Sequence, residues 1–98
     1  MGNDEFIEKA KQIVGVYTLM NYAEKPADVP QFEVYVVWNA FILGNIKALL
    51  ATSLKDDMYY EVTYSKEKDE IYFDAYRKEV NKALDPHGIF DEKEAVNQ

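Results

Sequence analysis

The first regular pattern in the chain is helical. Phe6, Ala10, Ile13, Tyr17 and Met20 recur at alternating four- and three-residue steps, one stripe of a 3.6-residue repeat. Asn3 or Asp4 can cap this helix. Asp4, Glu5 and Glu8 lie near its start, where carboxylates complement the positive end of the helix dipole. The period fails after Tyr22. Lys25-Pro26 and Val29-Pro30 then favour extended backbone, so the helix is predicted to end near Ala23 and to lead into a loop over Glu24 to Gln31.

From Phe32 to Leu43 the composition turns to Val, Tyr, Phe, Ile and Trp, apolar at both parities, which is the pattern of a strand covered on both faces. Gly44-Asn45 predicts a tight turn into a second strand, Ile46 to Ser53. Two registers are open. A three-residue turn sets Trp38 opposite Leu50 and Ala40 opposite Ala48, whereas a two-residue Gly-Asn turn sets Phe41 opposite Ala48. After a polar loop at Leu54 to Asp57, Met58, Tyr60, Val62 and Tyr64 alternate with Tyr59, Glu61, Thr63 and Ser65 in a third strand. A charged turn from Ser65 to Glu70 precedes a fourth, in which Ile71, Phe73 and Ala75 alternate with Tyr72, Asp74 and Tyr76. Tyr76, Val80, Ala83 and Leu84 return to helical spacing and predict a short helix, stopped by Asp85-Pro86-His87-Gly88. The expected architecture is one α+β domain over residues 1–98: an N-terminal helix packed on a four-strand antiparallel meander, then a short C-terminal helix and a tail over 85–98.

Composition narrows the function. The 98 residues can bury one core and no second one, and 48% hydrophobic content with only four Gly and three Pro excludes collagen-like and disordered chains. Eighteen acidic against eleven basic residues leave a net charge of −7, which repels phosphate backbones and anionic lipid, so neither nucleic acid nor membrane is an expected partner. There is no cysteine, which removes disulfides and thiolate metal sites and fits a reducing cytoplasm. The N-terminal stretch carries acids where a signal peptide carries lysines, and no apolar run approaches the roughly 20 residues of a membrane span.

One helix covers one face of such a sheet. The expected covered side carries Trp38, Tyr60, Val62, Tyr64, Ile71 and Phe73; the other carries Tyr35, Val37, Phe41, Tyr59, Tyr72 and Tyr76, interrupted by Asn39, Glu61, Thr63 and Asp74. Soluble monomers seldom leave so large an apolar patch open. Three covers are conceivable: the C-terminal segment, a second copy of the chain in a homodimer, or a foreign protein. With Glu67-Lys68 at the turn tip, Tyr64 meets Ile71, Val62 meets Phe73, Glu61 meets Asp74 and Tyr59 meets Tyr76. Like charges directly opposite each other need a cation nearby or a shared proton. A partner's Lys or Arg, supported by the tyrosine rings, would serve; so would Lys47 or Arg77 of the same chain. Tyr59, Glu61, Tyr72, Asp74 and Tyr76 are therefore the candidate partner-binding residues.

Catalytic constellations do not emerge. The single histidine, His87, falls in a Pro-Gly turn, and Asp85 two residues before it does not complete a triad. Asp56-Asp57 and Asp91-Glu92 with Glu94 lack calcium-loop spacing, zinc has no Cys and one His, and four scattered glycines form no phosphate loop. The chain reads as a non-enzyme with no cofactor; hydrolysis by the Glu61 and Asp74 pair is the weakest alternative.

The strings Val34-Tyr35-Val36-Val37-Trp38, Lys47-Ala48-Leu49-Leu50, Met58-Tyr59-Tyr60-Glu61-Val62-Thr63-Tyr64 and Glu70-Ile71-Tyr72-Phe73-Asp74-Ala75-Tyr76 resemble a family of small proteins of unknown function from phages and prophages of Gram-positive bacteria. The resemblance runs over about residues 4 to 80, including Asp4-Glu5-Phe6-Ile7, and departs at Ser65-Lys66-Glu67-Lys68 and after Leu84. It implies expression in the cytoplasm of an infected bacterial cell; by analogy with other small acidic phage proteins the chain is expected to bind a host protein, inhibition of a host or defence factor being one form, and a self-associating structural or assembly component is the alternative. It brings no active site to carry over.

Overall fold

Phe6, Ala10 and Val14, each four residues after the last, have no exposed surface. They form the contact stripe of α1 (Asn3–Tyr22), which lies across a sheet of four strands: β1 (Val34–Ile42), β2 (Asn45–Thr52), β3 (Met58–Ser65) and β4 (Glu70–Arg77). The computed structural model describes residues 1–22 and 30–90. Strand order follows chain order and every pairing is antiparallel, so the sheet is an open meander and the fold is α+β.

Under the helix, Ile46, Ala48 and Leu50 of β2 and Tyr60, Val62 and Tyr64 of β3 complete the buried core. Burying each larger aliphatic side chain contributes about 1.5–3 kcal/mol, so the central strands hold most of the stabilisation. Thr18 continues the stripe one turn on, and its buried hydroxyl donates to the Val14 carbonyl at 2.8 Å. Tyr17, Tyr60 and Phe73 cluster where the C-terminal half of α1 meets β3 and β4, with ring centroids 5.0–6.0 Å apart. Asn39 donates to the Asn3 side chain at 2.8 Å and ties the start of the helix to β1.

The helical stripe therefore differs from the one expected. Ile13 and Tyr17 are partly buried on its flank, but Met20 is 75% exposed, because it lies farther round the helix from the Phe6, Ala10, Val14 and Thr18 stripe. The short C-terminal helix is absent: residues 78–90 have no helix, and Val80, Leu84, Ile89 and Phe90 are exposed. Apolar spacing at Tyr76, Val80, Ala83 and Leu84 is not enough when no surface receives the stripe. Most of the loop expected over Glu24 to Gln31, and of the tail, lies outside the described residues.

Strands β3 and β4 pair as expected, with Tyr64 opposite Ile71, Val62 opposite Phe73, Glu61 opposite Asp74 and Tyr59 opposite Tyr76. The first hairpin does not. Its two turn residues are Leu43 and Gly44, both at positive φ (54° and 83°), so Ile42 pairs with Asn45 and Ala40 with Lys47. Neither register expected for Gly44-Asn45 is found. Such a turn matches the right-handed twist of a hairpin but suits Asn-Gly, and a leucine held in left-handed backbone costs about 1–2 kcal/mol. Gly44 is favoured by its φ of 83°, which strains any L side chain, and a Cβ there would also require the Lys66 side chain to move.

Two substitutions check this packing. Phe6→Ala should cost about 3–5 kcal/mol in urea unfolding, while Met20→Ala should stay within about 0.5 kcal/mol. Leu43→Asn, which installs Asn-Gly at the turn and gives up little burial because Leu43 is 91% exposed, should stabilise the fold by about 1 kcal/mol.

Candidate functional site

A register shift in β1 decides what the uncovered face looks like. Val36 pairs with Leu50, yet the next paired residue, Trp38, faces Leu49, so Val37 is the extra residue of a β-bulge. Side chains alternate along a strand, and one inserted residue exchanges the faces of everything after it. Val34 and Val36 pack against the core. Past the bulge Asn39 and Phe41 turn to the helix side, opposite Ala48 and Ile46, and Trp38, Ala40 and Ile42 turn away from it. Trp38 was expected under the helix and Phe41 on the open side; the bulge reverses both.

The open face is read most simply as rows across the strands. One row runs Trp38, Leu49, Glu61, Asp74 and another Ala40, Lys47, Thr63, Tyr72, while Tyr59 and Tyr76 stand side by side at the end nearer Tyr35. All five candidate residues, Tyr59, Glu61, Tyr72, Asp74 and Tyr76, thus share one face. Tyr35, Trp38, Tyr72 and Tyr76 are exposed, Trp38 by 44% and Tyr76 by 51%, so residues 78–90 do not fold back over them. Tyr59 is half-buried, with the Lys78 ammonium 5.9 Å from its ring centroid.

The two carboxylates are unequal. Glu61 forms an ion pair with Lys47 at 3.3 Å, one of the two same-chain cations that the sequence offered. Arg77 points to the other side, where its guanidinium donates to the Asp56 carbonyl at 3.4 Å. Asp74 sits exposed opposite Glu61 with no ion pair among the described residues. Tyr72 donates its hydroxyl to Glu70 at 2.6 Å, which holds the ring against the surface and raises its pKa above the ordinary 10.0. Tyr64 donates to Asp69 at 2.8 Å with the same effect, and burial raises Tyr60 on the core side.

Residues 7–86 match a family of unknown function, DUF6275. The chain belongs to this family. The matched span holds all four strands and most of α1, so the open face lies inside the DUF6275 unit. No curated protein and no solved structure matches the chain. Among the described residues, no group of three His, Cys, Asp or Glu side chains could hold a metal ion, and no helix is long and apolar enough to cross a membrane. His87 is exposed in its turn, where the Asp85 carboxylate accepts the His87 backbone N–H at 2.9 Å.

Sequence reasoning therefore found this face of the DUF6275 fold but missed Trp38, its largest aromatic. A bulge leaves no mark in a run apolar at both parities, and only the strict alternation of β2, with Ile46, Ala48 and Leu50 buried, carries the phase against which β1 can be set.

The electrostatics make two predictions. Lys47→Gln should destabilise the fold by up to about 1 kcal/mol, and Asp74→Asn in the same background should restore most of that, as read in a double-mutant cycle of urea unfolding. Because Tyr60, Tyr64 and Tyr72 hold their protons more tightly folded than unfolded, the stability they contribute is complete below pH 10.0 and is lost as pH rises through their raised values. Melting temperature should thus fall above pH 10, less steeply in Tyr72→Phe.

Proposed function

We propose that the chain is a non-enzymatic protein-binding module, and that the open sheet face is where a partner docks. The observation that carries this reading is the exposure of Trp38, Tyr35, Tyr72 and Tyr76 together on one face. Buried aromatic anchors dominate binding energy at protein interfaces, and solvent exposure of several in one patch is costly for a chain that acts alone. Their rings are set on strands rather than loops, so little conformational freedom is lost on contact.

The carboxylates refine the chemistry of the partner. Lys47 already occupies Glu61, which leaves Asp74 as the acceptor for an incoming Lys or Arg, with Tyr72 and Tyr76 beside it on the same strand. A partner that meets the face with an apolar patch and one basic side chain fits it. Net charge of −7 disfavours nucleic acid as the direct ligand.

The setting belongs to the proposal as well. The resemblance to small phage and prophage proteins of Gram-positive bacteria supports action in the cytoplasm of the infected cell on a host protein, with inhibition of a host or defence factor as its outcome. The second reading, a self-associating assembly component, is favoured by a different surface, the uncharged edge of β1.

The test is to isolate the protein captured from host lysate, purify it, and measure its affinity for surface variants of the chain. Trp38→Ala and Tyr76→Ala should each weaken binding by about 2 kcal/mol or more, some 30-fold, and Asp74→Asn should lower the sensitivity of binding to salt. Met20→Ala on the helix side should bind as wild type. Equal affinity of the Trp38, Tyr76 and Met20 variants would overturn the assignment of this face.

A further inference from the structure

An open meander has two edge strands, and here they differ. Strand β4 carries Glu70, Asp74 and Arg77 along its eight residues, the charges by which edges are normally kept from pairing. Strand β1 has none: Val34-Tyr35-Val36-Val37-Trp38-Asn39-Ala40-Phe41-Ile42 contains no charged residue, no proline and no glycine. The run stays uncharged through the turn to Ile46, the longest such stretch in a chain of net charge −7. No residue of β1 has a backbone hydrogen bond on its outer side among the described residues.

Which groups are free follows from the turn. A two-residue hairpin makes its flanking pair, Ile42 and Asn45, a hydrogen-bonded one. Alternation then directs the backbone groups of Ile42, Ala40 and Trp38 towards β2, and those of Phe41 and Asn39 outward. The segment Trp38 to Ile42, beyond the bulge, is regular.

We propose that this edge pairs with the same edge of a second copy of the chain. The two β1 strands run antiparallel across a two-fold axis at Ala40, giving one eight-stranded sheet. Asn39 of each copy exchanges both hydrogen bonds with Phe41 of the other, four in all, using the groups that point outward. On the open face Trp38 of one copy stands opposite Ile42 of the other, an aromatic to β-branched pair of the favoured kind, on both sides of the small Ala40. The occupant is a second copy rather than a foreign strand because this is where two chains of charge −7 meet without opposing like charges: β1 is neutral, and the nearest charged side chain on β2, Lys47, is already paired with Glu61. The axis stands perpendicular to the sheet, so both helices lie on one side and both aromatic faces on the other. Apart from the flank of Trp38 that meets Ile42, the surface assigned above to a partner stays open and is doubled. This self-association is by the edge and does not depend on that assignment.

The absence of cysteine in the full chain makes the test direct. Residues opposite each other in a non-hydrogen-bonded antiparallel pair have Cα atoms about 4.5 Å apart, inside the range a disulfide spans. Ala40→Cys should therefore give a covalent dimer on mild oxidation, and Asp74→Cys, on the charged edge, should not. Light scattering on the wild type should give twice the 11.4 kDa of the chain, unchanged by salt, and Phe41→Pro, which removes an outward N–H while keeping every bond to β2, should return 11.4 kDa with the native circular dichroism. A wild type that stays at 11.4 kDa at every concentration, an Ala40→Cys chain that does not cross-link, or cross-linking through Asp74→Cys would each overturn the proposal. Should Phe41→Pro fail to fold, the two cysteine variants decide alone.

Discussion

Everything distinctive about this molecule depends on one asymmetric contact, the seating of a single helix along Phe6, Ala10, Val14 and Thr18 on the two central strands. A helix is about 10 Å wide, while four strands at about 4.8 Å spacing present a broader surface, so one helix cannot cover even its own side completely. It closes over β2 and β3, where Ile46, Leu50 and Val62 lose all exposure, and leaves Ala75 on β4 and Met20 at its own far end in solvent. The opposite face receives no layer from the described residues. A fold of this kind places its stability on one side of the sheet and leaves the other side open.

The legibility of the sequence tracks this asymmetry. The pairing of β3 with β4 was readable to the residue, because each has one buried and one open face and the polar residues Glu61, Thr63 and Asp74 mark the alternation. The helix was readable in position but not in phase: Thr18, polar by type, belongs to the buried stripe because its hydroxyl is satisfied by Val14, and Met20, apolar by type, does not. Strand β1 was readable as a strand and misread in its faces. Apolar residues on both parities carry no phase, and the bulge at Val37 and the Leu43-Gly44 turn depend on backbone geometry that local propensity disfavours for leucine. The shared face of the five candidate residues on β3 and β4 was therefore legible, and the place of Trp38 on β1 was not.

Charge is distributed to match. The acids sit largely on the helix start, the turns and the segment after β4, whereas the open face carries Lys47 with Glu61, Lys78 over Tyr59, and Glu70 and Asp74 along its β4 edge. A strongly acidic chain thereby keeps a face whose own charge is nearly balanced, which lowers the desolvation cost of covering it. The hydroxyls of Tyr64 and Tyr72, held by Asp69 and Glu70, fix two aromatic rings at the turn end of the third hairpin without adding buried charge.

The central claim is that the bulge turns Trp38 out of the core and onto the open face. Trp38 is the sole tryptophan, so its fluorescence reports on that residue alone. In dilute solution the account predicts red-shifted emission that acrylamide quenches readily in the native chain and that changes little on unfolding in urea. Blue-shifted emission shielded from acrylamide until the chain unfolds would place Trp38 beneath the helix and contradict it.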